Sequence, residues 1–358
     1  MLPPTMNVKK ILFLAASTIK LFILILLFTT SSKAQEKNIK YYPNDKGILS
    51  LMYHRFNENK YPSTNIKMDI FKKQIEIIKK LKYNFYDPKD LEKNFNTPKI
   101  KKKILITIDD AFSSFYQVAW PYLKKEKIPF ILFVSTETIG KNGYMTWSQI
   151  KELEKETTVY IGNHSHKHNY LVDLRNQDFM DDIDTSSKIF TKNLGYNPIF
   201  FSYPFGEYST IIKEYISKNF KFSFGQHSGV IDVNKDRYEL PRFPINEKYG
   251  DLKRFEFLIN LYPLQYKILS PDEKYLTNNK NPPKFFIEFF DIQKNINNIN
   301  CFSDEGDGWD KSNISVTQNY LKVNFREKFT FRRGRINCSL NDNGVWRWLG
   351  VQFSVNQD

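Results

Sequence analysis

The sequence predicts an α/β fold, a distorted (β/α) barrel followed by a small all-β, sandwich-like module. Three observations carry this. Short, continuously apolar runs alternate with helix-patterned segments as far as residue 224, as strands of a parallel sheet buried on both faces do. The strand–helix units are too many for a four- or five-stranded open sheet. Near residue 270 the texture changes to short alternating runs separated by Asn, Gly and Asp, which is the pattern of an all-β unit.

The elements follow in order. Gly47 to Tyr53 is an apolar run of strand length. Met68 to Leu81 places Phe71, Ile75, Ile78 and Leu81 at helical spacing, with Lys on the other face. Ile104 to Ile108 is a second buried strand. Ala111 to Lys125 reads as a helix that Pro121 bends or splits. Phe130 to Val134 is a third strand, and Trp147 to Lys155 a helix with Thr146 as its N-cap. Thr158 to Ile161 is a fourth strand, and Asp178 to Leu194 a long helix closed by Gly195. Ile199 to Tyr203, Ser209 to Asn219 and Phe222 to Phe224 add strand, helix and strand. In the β module, Phe285 to Phe290, Asn319 to Phe325, Phe329 to Phe331 and Trp346 to Val355 read as strands.

Composition narrows the class. A chain of 358 residues suggests about two domains, and 41% hydrophobic residues exclude wholesale disorder. Lys9 and Lys10 precede the apolar stretch Ile11 to Thr30, and Ser32 and Ala34 are the small residues of a cleavage site. Residues 1–34 are therefore expected to be a signal peptide. Left uncleaved, the same stretch would anchor the chain; either way the rest is exported, to the periplasm or outside the cell. In that oxidising setting Cys301 and Cys338 are expected to form a disulfide that staples the β module. The expected division is 1–34 signal peptide, 35–268 barrel, 269–284 a Pro-, Asn- and Lys-rich linker, and 285–358 the β module. The net charge of +14 is spread over the chain, with one dense cluster at Arg332, Arg333 and Arg335. No nucleic-acid-binding motif accompanies it, so nucleic acid is not an expected partner. A positive surface would suit an anionic envelope polymer, with a solvated face as the default.

The chemistry lies in few residues. Three of five histidines, His164, His166 and His168, directly follow the fourth strand, and the pair Asp109-Asp110 follows the second. In a parallel α/β fold these strand ends converge on one face. Two imidazoles and one carboxylate make a three-ligand site for a divalent metal such as zinc, or another transition metal. The second carboxylate is then free to act as a base on a water whose pKa the metal lowers towards about 7. Trp147 is a candidate sugar platform or a core residue. Trp346 and Trp348 pose the same choice, with at least one expected in the core.

These residues resemble the polysaccharide deacetylases of carbohydrate esterase family 4. Ile106-Thr-Ile-Asp109-Asp110 is similar to the family's T-F-D-D motif, His164-Ser-His-Lys-His168 to H-[ST]-x-x-H, and Ser202-Tyr203-Pro204-Phe205-Gly206 to R-x-P-[YF]-G. The resemblance covers about residues 45–250 and leaves out the β module. It implies Asp109 as catalytic base, Asp110, His164 and His168 as metal ligands, and Phe205 as the residue whose backbone N–H helps hold the oxyanion. Tyr203 and Pro204 become substrate-binding candidates, and His166 matches no ligand position. Ser202 stands where the family has the arginine that orients the base, so another group must do that work. Ala111 replaces the glycine that often follows D-D. No L-x-H motif follows Gly206, but Leu51-Met-Tyr-His54 lies on the first strand. This is similar to the circularly permuted arrangement of biofilm poly-N-acetylglucosamine deacetylases, and makes His54 the general acid, with His227 the competitor.

The activity so implied is metal-dependent removal of N-acetyl groups from an envelope or extracellular amino-sugar polysaccharide. The alternatives are an O-acetyl esterase on glycans with the same site, and a non-catalytic glycan-binding protein. The intact D-D and H-x-x-x-H set argues against the last.

Overall fold

The computed structural model describes residues 47–357 except 97–102 and 291–294; the expected signal peptide lies outside them. Six strands run parallel in succession: β1 (Ile48–Tyr53), β2 (Lys103–Ile108), β3 (Phe130–Val134), β4 (Val159–Asn163), β5 (Phe200–Ser202) and β6 (Phe222–Phe224). Nearly every residue in them is buried, which is why they read as unbroken apolar runs rather than alternating ones.

The helices pack outside this curled sheet. α1 (Met68–Lys80) buries Phe71, Ile75 and Ile78 and leaves its lysines in solvent. α2 (Trp120–Glu126) follows a π-helical turn at Phe115–Ala119. Pro121, which offers no N–H, stands at the start of α2, so the bend expected there takes the form of a widened turn. α3 (Trp147–Glu154) carries the capping box of Thr146 and Gln149. α4 (Asn176–Leu194) ends at Gly195, whose φ of 87° suits a residue without Cβ. α5 (Thr210–Asn219) is capped by Ser209.

Two short strands complete the barrel. β7 (Val230–Ile231) pairs antiparallel with β1, and β8 (Phe243–Pro244) pairs parallel with it. Just before β8, Leu240 bridges to Phe224 at the end of β6. Residues 240–244 thus fill the seam between the last and first staves, and Arg242 lies in that seam. α6 (Leu252–Ile259) then packs beside α1.

The β module has two sheets. One contains β9 (Tyr262–Pro263), β11 (Tyr275–Leu276), β13 (Ile299–Asp304), β14 (Trp309–Lys311), β17 (Arg333–Asp342) and β18 (Val345–Val355). The other contains β10 (Ile268–Ser270), β12 (Phe285–Glu288), β15 (Asn313–Val316) and β16 (Tyr320–Asn324). Ile287, Leu321, Leu340 and Phe353 are among the side chains that form the core of the module. Residues 269–284, expected to be a linker, instead supply strands to both sheets, and Leu276 is buried in the module core. Cys301 and Cys338 face each other across the β13–β17 ladder and are disulfide-bonded.

One predicted strand is corrected. Phe329 to Phe331 is a loop, because the Asn281 side chain satisfies both the N–H and the carbonyl of Phe329 while its ring fills the module core. β13 and β17 were not foreseen. Phe302 faces outward while Ser303 and Gly334 take inward positions, which breaks the apolar alternation.

The module docks over the barrel mouth. Trp348 Nε1 donates to Ser228 Oγ at 3.0 Å, and Ser228 Oγ donates to Asn337 at 2.7 Å. Arg332 reaches Glu207 and Asp173 on barrel loops.

Candidate active site

His54 follows β1, Asp109 follows β2, His164 follows β4, and Ser202 ends β5. All four stand at the C-terminal ends of parallel strands and so meet at one rim.

Three ligand-type atoms converge there. His164 Nε2 and His168 Nε2 are 3.2 Å apart, and Asp110 Oδ1 is 3.5 Å from the first and 3.4 Å from the second. Ligand atoms on a four-coordinate zinc, with bonds of about 2.0–2.1 Å, stand about 3.3–3.4 Å apart. The trio has the spacing of one tetrahedral face. His164 Nδ1 donates to the Ser202 carbonyl at 2.7 Å, which leaves the Nε2 lone pair for a cation. Burial, and then the neighbouring His168, hold the His164 imidazole down at about 4, so it is neutral in ordinary buffers. The residues present therefore fit a divalent metal.

The turn that brings His168 back beside His164 is held from α4. Asp182 accepts from the N–H of His166 at 2.8 Å and of Lys167 at 3.0 Å, while Ser165 Oγ accepts from the His168 N–H at 3.0 Å. The His166 ring instead bonds Thr136. Ser165 and His168, like Asp110, Ala111 and Phe205, have positive φ, so non-glycine residues in left-handed conformation gather at this rim. Each such residue costs on the order of 1–3 kcal/mol, which the surrounding bonds must offset.

Asp109 is fully buried and gripped by Arg242, which is also fully buried. The Nη1 and Nη2 groups donate to Oδ1 and Oδ2 at 2.6 and 2.8 Å. The remaining donors go to Ser202 Oγ, Thr107 Oγ1 and the Gly225 carbonyl. All of the guanidinium's hydrogen-bonding capacity is used, the condition under which burying it is tolerable. Burial pushes the Asp109 carboxyl up, but Arg242, with His164 and His54, outweighs it and holds the group at about 2. His54 Nε2 lies 4.0 Å from Asp109 Oδ2 on the open side.

A cleft of about 740 Å³ opens over this rim. His54, Asp110, His168 and Phe205 line its barrel side; Trp309, Arg333, Arg335 and Trp348 line its module side. Phe205 has φ of 58° and stacks on Tyr170 at 4.1 Å. Its carbonyl accepts from Gln352 of β18 at 3.0 Å. Gly206 follows with φ of 71°, where a Cβ would meet the Gln226 backbone nitrogen at 2.4 Å.

Other sequence candidates lie elsewhere. Trp147 packs edge-on against Phe190 at 5.7 Å, beside the barrel core and outside the cleft lining. Tyr203 is fully buried, its hydroxyl donating to the Tyr238 carbonyl, and Pro204 is buried beside it, so neither has surface for a sugar. His227 also lines the cleft, but burial holds its imidazole down at about 3.

Arg242, Asp182 and Gln352 escaped the sequence reading. Only Arg242 had a signal: an arginine inside the apolar run Leu240-Pro-Arg242-Phe-Pro244, in a chain lacking the arginine its third motif calls for.

Comparison with known proteins agrees with this fold. Residues 96–222 match the family model described as Polysaccharide deacetylase. A poly-beta-1,6-N-acetyl-D-glucosamine N-deacetylase of Staphylococcus aureus (strain N315) is 24% identical over 242 residues, covering 59% of this chain and 82% of the relative. Among solved structures, the Streptococcus pyogenes deacetylase PplD, in complex with acetate, superposes with a TM-score of 0.55 at 23% identity, over 60% of this chain and 98% of that one. IcaB from Ammonifex degensii gives 0.54 at 24%, over 60% and 97%. These likenesses concern the fold, and the family match contains Asp109, Asp110, His164, His168 and Phe205 but neither His54 nor Arg242. The stretch that resembles the Polysaccharide deacetylase family, residues 96–222, is thus the one that brings the motifs Asp109-Asp110, His164 to His168 and Phe205 to the rim.

Proposed function

We propose that the protein is a metal-dependent N-deacetylase acting on an exported or envelope polysaccharide of N-acetylated amino sugars. One observation carries the reading: a three-atom ligand set lies beside a separate carboxylate, Asp109, that an arginine keeps ionised and oriented. Glycan binding alone needs no such spare carboxylate. The poly-N-acetylglucosamine deacetylase relative supports the substrate class.

Asp110, His164 and His168 would hold the ion, with zinc the metal proposed. When bound, it supplies a Lewis acid and makes a water more acidic. Asp109 accepts the proton of the attacking water; each of its oxygens keeps a lone pair beyond the one Arg242 engages. The Phe205 N–H, which has no protein acceptor among the described residues, donates to the oxyanion. His54, across from Asp109, delivers a proton to the departing amine. The products are acetate and a free amino sugar. The same reading takes residues 1–34 as a secretion leader, the chain from there through α6 as the catalytic barrel, and the strands from Tyr262 onward as an accessory β module.

Acetate release from N-acetylglucosamine oligomers, with metal content followed by elemental analysis, tests this. Asp109→Asn should keep its metal and lose turnover, whereas His164→Ala should lose the metal. Near-normal turnover in metal-loaded Asp109→Asn sinks the assignment. Release from O-acetylated xylan but not from the N-acetylated oligomers would make the protein an esterase instead.

A further inference from the structure

The basic cluster that the sequence left without a role lies in the cleft wall. On β17, Arg333, Arg335 and Asn337 share one face, and all three line the cleft. Arg333 is partly balanced by Glu207 at 3.7 Å and lies 5.8 Å from the Phe205 ring. Arg335 is different. Its guanidinium makes one hydrogen bond, from Nε to Gln352 Oε1 at 3.2 Å, and both Nη groups lack a protein acceptor among the described residues.

From the opposite wall, Arg254 of α6 faces the same cleft. Its Nη1 donates to the Tyr249 carbonyl at 2.6 Å, and its guanidinium carbon lies 5.1 Å from the Tyr249 ring. Tyr249 also lies within electrostatic reach of Arg335, and both guanidinium groups line the same cleft. Among the described residues neither has a carboxylate oxygen within 4.0 Å; the acids within electrostatic reach are Asp251, which caps α6, for Arg254, and Asp304, opposite it in the β13–β17 ladder, together with Glu207, for Arg335. Lys248 adds a further positive charge to the lining, where the one carboxylate is the proposed metal ligand Asp110. Half-buried guanidinium groups without a directly paired carboxylate cost stability, and an incoming anion would relieve that cost.

We propose that the cleft contains an anion subsite, formed by Arg335 of the β module and Arg254 of the barrel, for a carboxylate or phosphate carried by the glycan next to the N-acetylated unit. Arg333 lies beside the Phe205 ring, and Arg335 stands two residues, about 7 Å, along the strand from it, so the anion belongs to a neighbouring sugar. Both guanidinium groups offer paired N–H donors that match carboxylate and phosphate geometry. The deacetylated product carries an ammonium group, which this field repels. That the ligand is a glycan rests on the deacetylase reading; the charge preference does not.

Three hexasaccharides test the subsite by calorimetry and by acetate release: neutral N-acetylglucosamine hexamer, the alternating glucuronate–N-acetylglucosamine hexamer, and the neutral hexamer carrying a terminal phosphate. At low salt the full-length protein should bind at least one anionic probe about tenfold tighter than the neutral one, and the tighter of the two identifies the substituent. Arg335→Gln and Arg254→Gln should each reduce that ratio to about threefold or less. The ratio is the readout, because Arg335 also holds Gln352, and a disturbance there moves all three probes together. Equal affinity for the three, or a preference unchanged in both variants, overturns the subsite. Preferential binding of an anionic probe with no acetate released from any of the three overturns the deacetylase reading and leaves the subsite standing.

Discussion

Arg242 grips Asp109 through two parallel hydrogen bonds of 2.6 and 2.8 Å while donating a third to Ser202 Oγ. Ser202 is the position from which the third motif's arginine is missing. The guanidinium therefore occupies the same neighbourhood but enters it from the barrel seam, a different stretch of chain.

This makes a rearrangement testable. Arg242→Ser leaves a buried carboxylate without its partner, so kcat should fall by about 10²–10⁴-fold. Arg242 holds the carboxyl at about 2; without it burial raises the group, and the acid limb of the pH–rate profile should move to higher pH. Adding Ser202→Arg to Arg242→Ser should recover at least about tenfold of the loss. A double variant no better than the single one, with both folded by circular dichroism, would show that the entry direction matters and not only the charge.

Asp182 acts on the ligands through the backbone. It holds the turn between His164 and His168 without touching either imidazole. Asp182→Ala should weaken zinc affinity by about 10–100-fold, measured by competition with a chromophoric chelator. Unchanged affinity would mean that the turn keeps its shape unaided.

Gln352 ties the β module to the oxyanion loop, since its amide holds the Phe205 carbonyl. Gln352→Leu removes a bond worth about 1 kcal/mol from a residue in left-handed conformation. The expected result is a fall in kcat of about five- to tenfold with little change in KM. A rise in KM alone would assign Gln352 to substrate contact.

His227 predicts an acid weakness of the fold. Burial, then Lys274 and Arg242, hold its imidazole at about 3 in the folded chain, whereas the unfolded chain titrates near 6.5. Between these values the unfolded state binds more protons, so stability falls as pH drops from about 6.5 towards about 3. His227→Gln should lose less stability than the parent between about pH 7.5 and about pH 4.5, by a few kcal/mol in urea titrations. Parallel losses in the two proteins would place the acid sensitivity elsewhere.

The staves of the barrel were readable because burial on both faces writes itself as unbroken apolar runs, and α3 because its cap chemistry is local. Asp109, Asp110, His164 and His168 were readable because each chemical group sits within a few residues of a strand end. Phe329 misled because an aromatic run marks burial and not extension, and Asn281, distant in the chain, takes up its backbone groups.

What the amino-acid order determined by itself was the layered α/β plan and the identity of the groups at the rim, since both depend on side-chain type and short spacings. What only the tertiary structure decided was which group orients Asp109, what holds the His turn, and that the β module forms one wall of the cleft. Arg242 and Arg335 meet their surroundings only after the seam has closed and the two β sheets have settled over the mouth, and Asp182 reaches the His turn only once α4 has packed beside it.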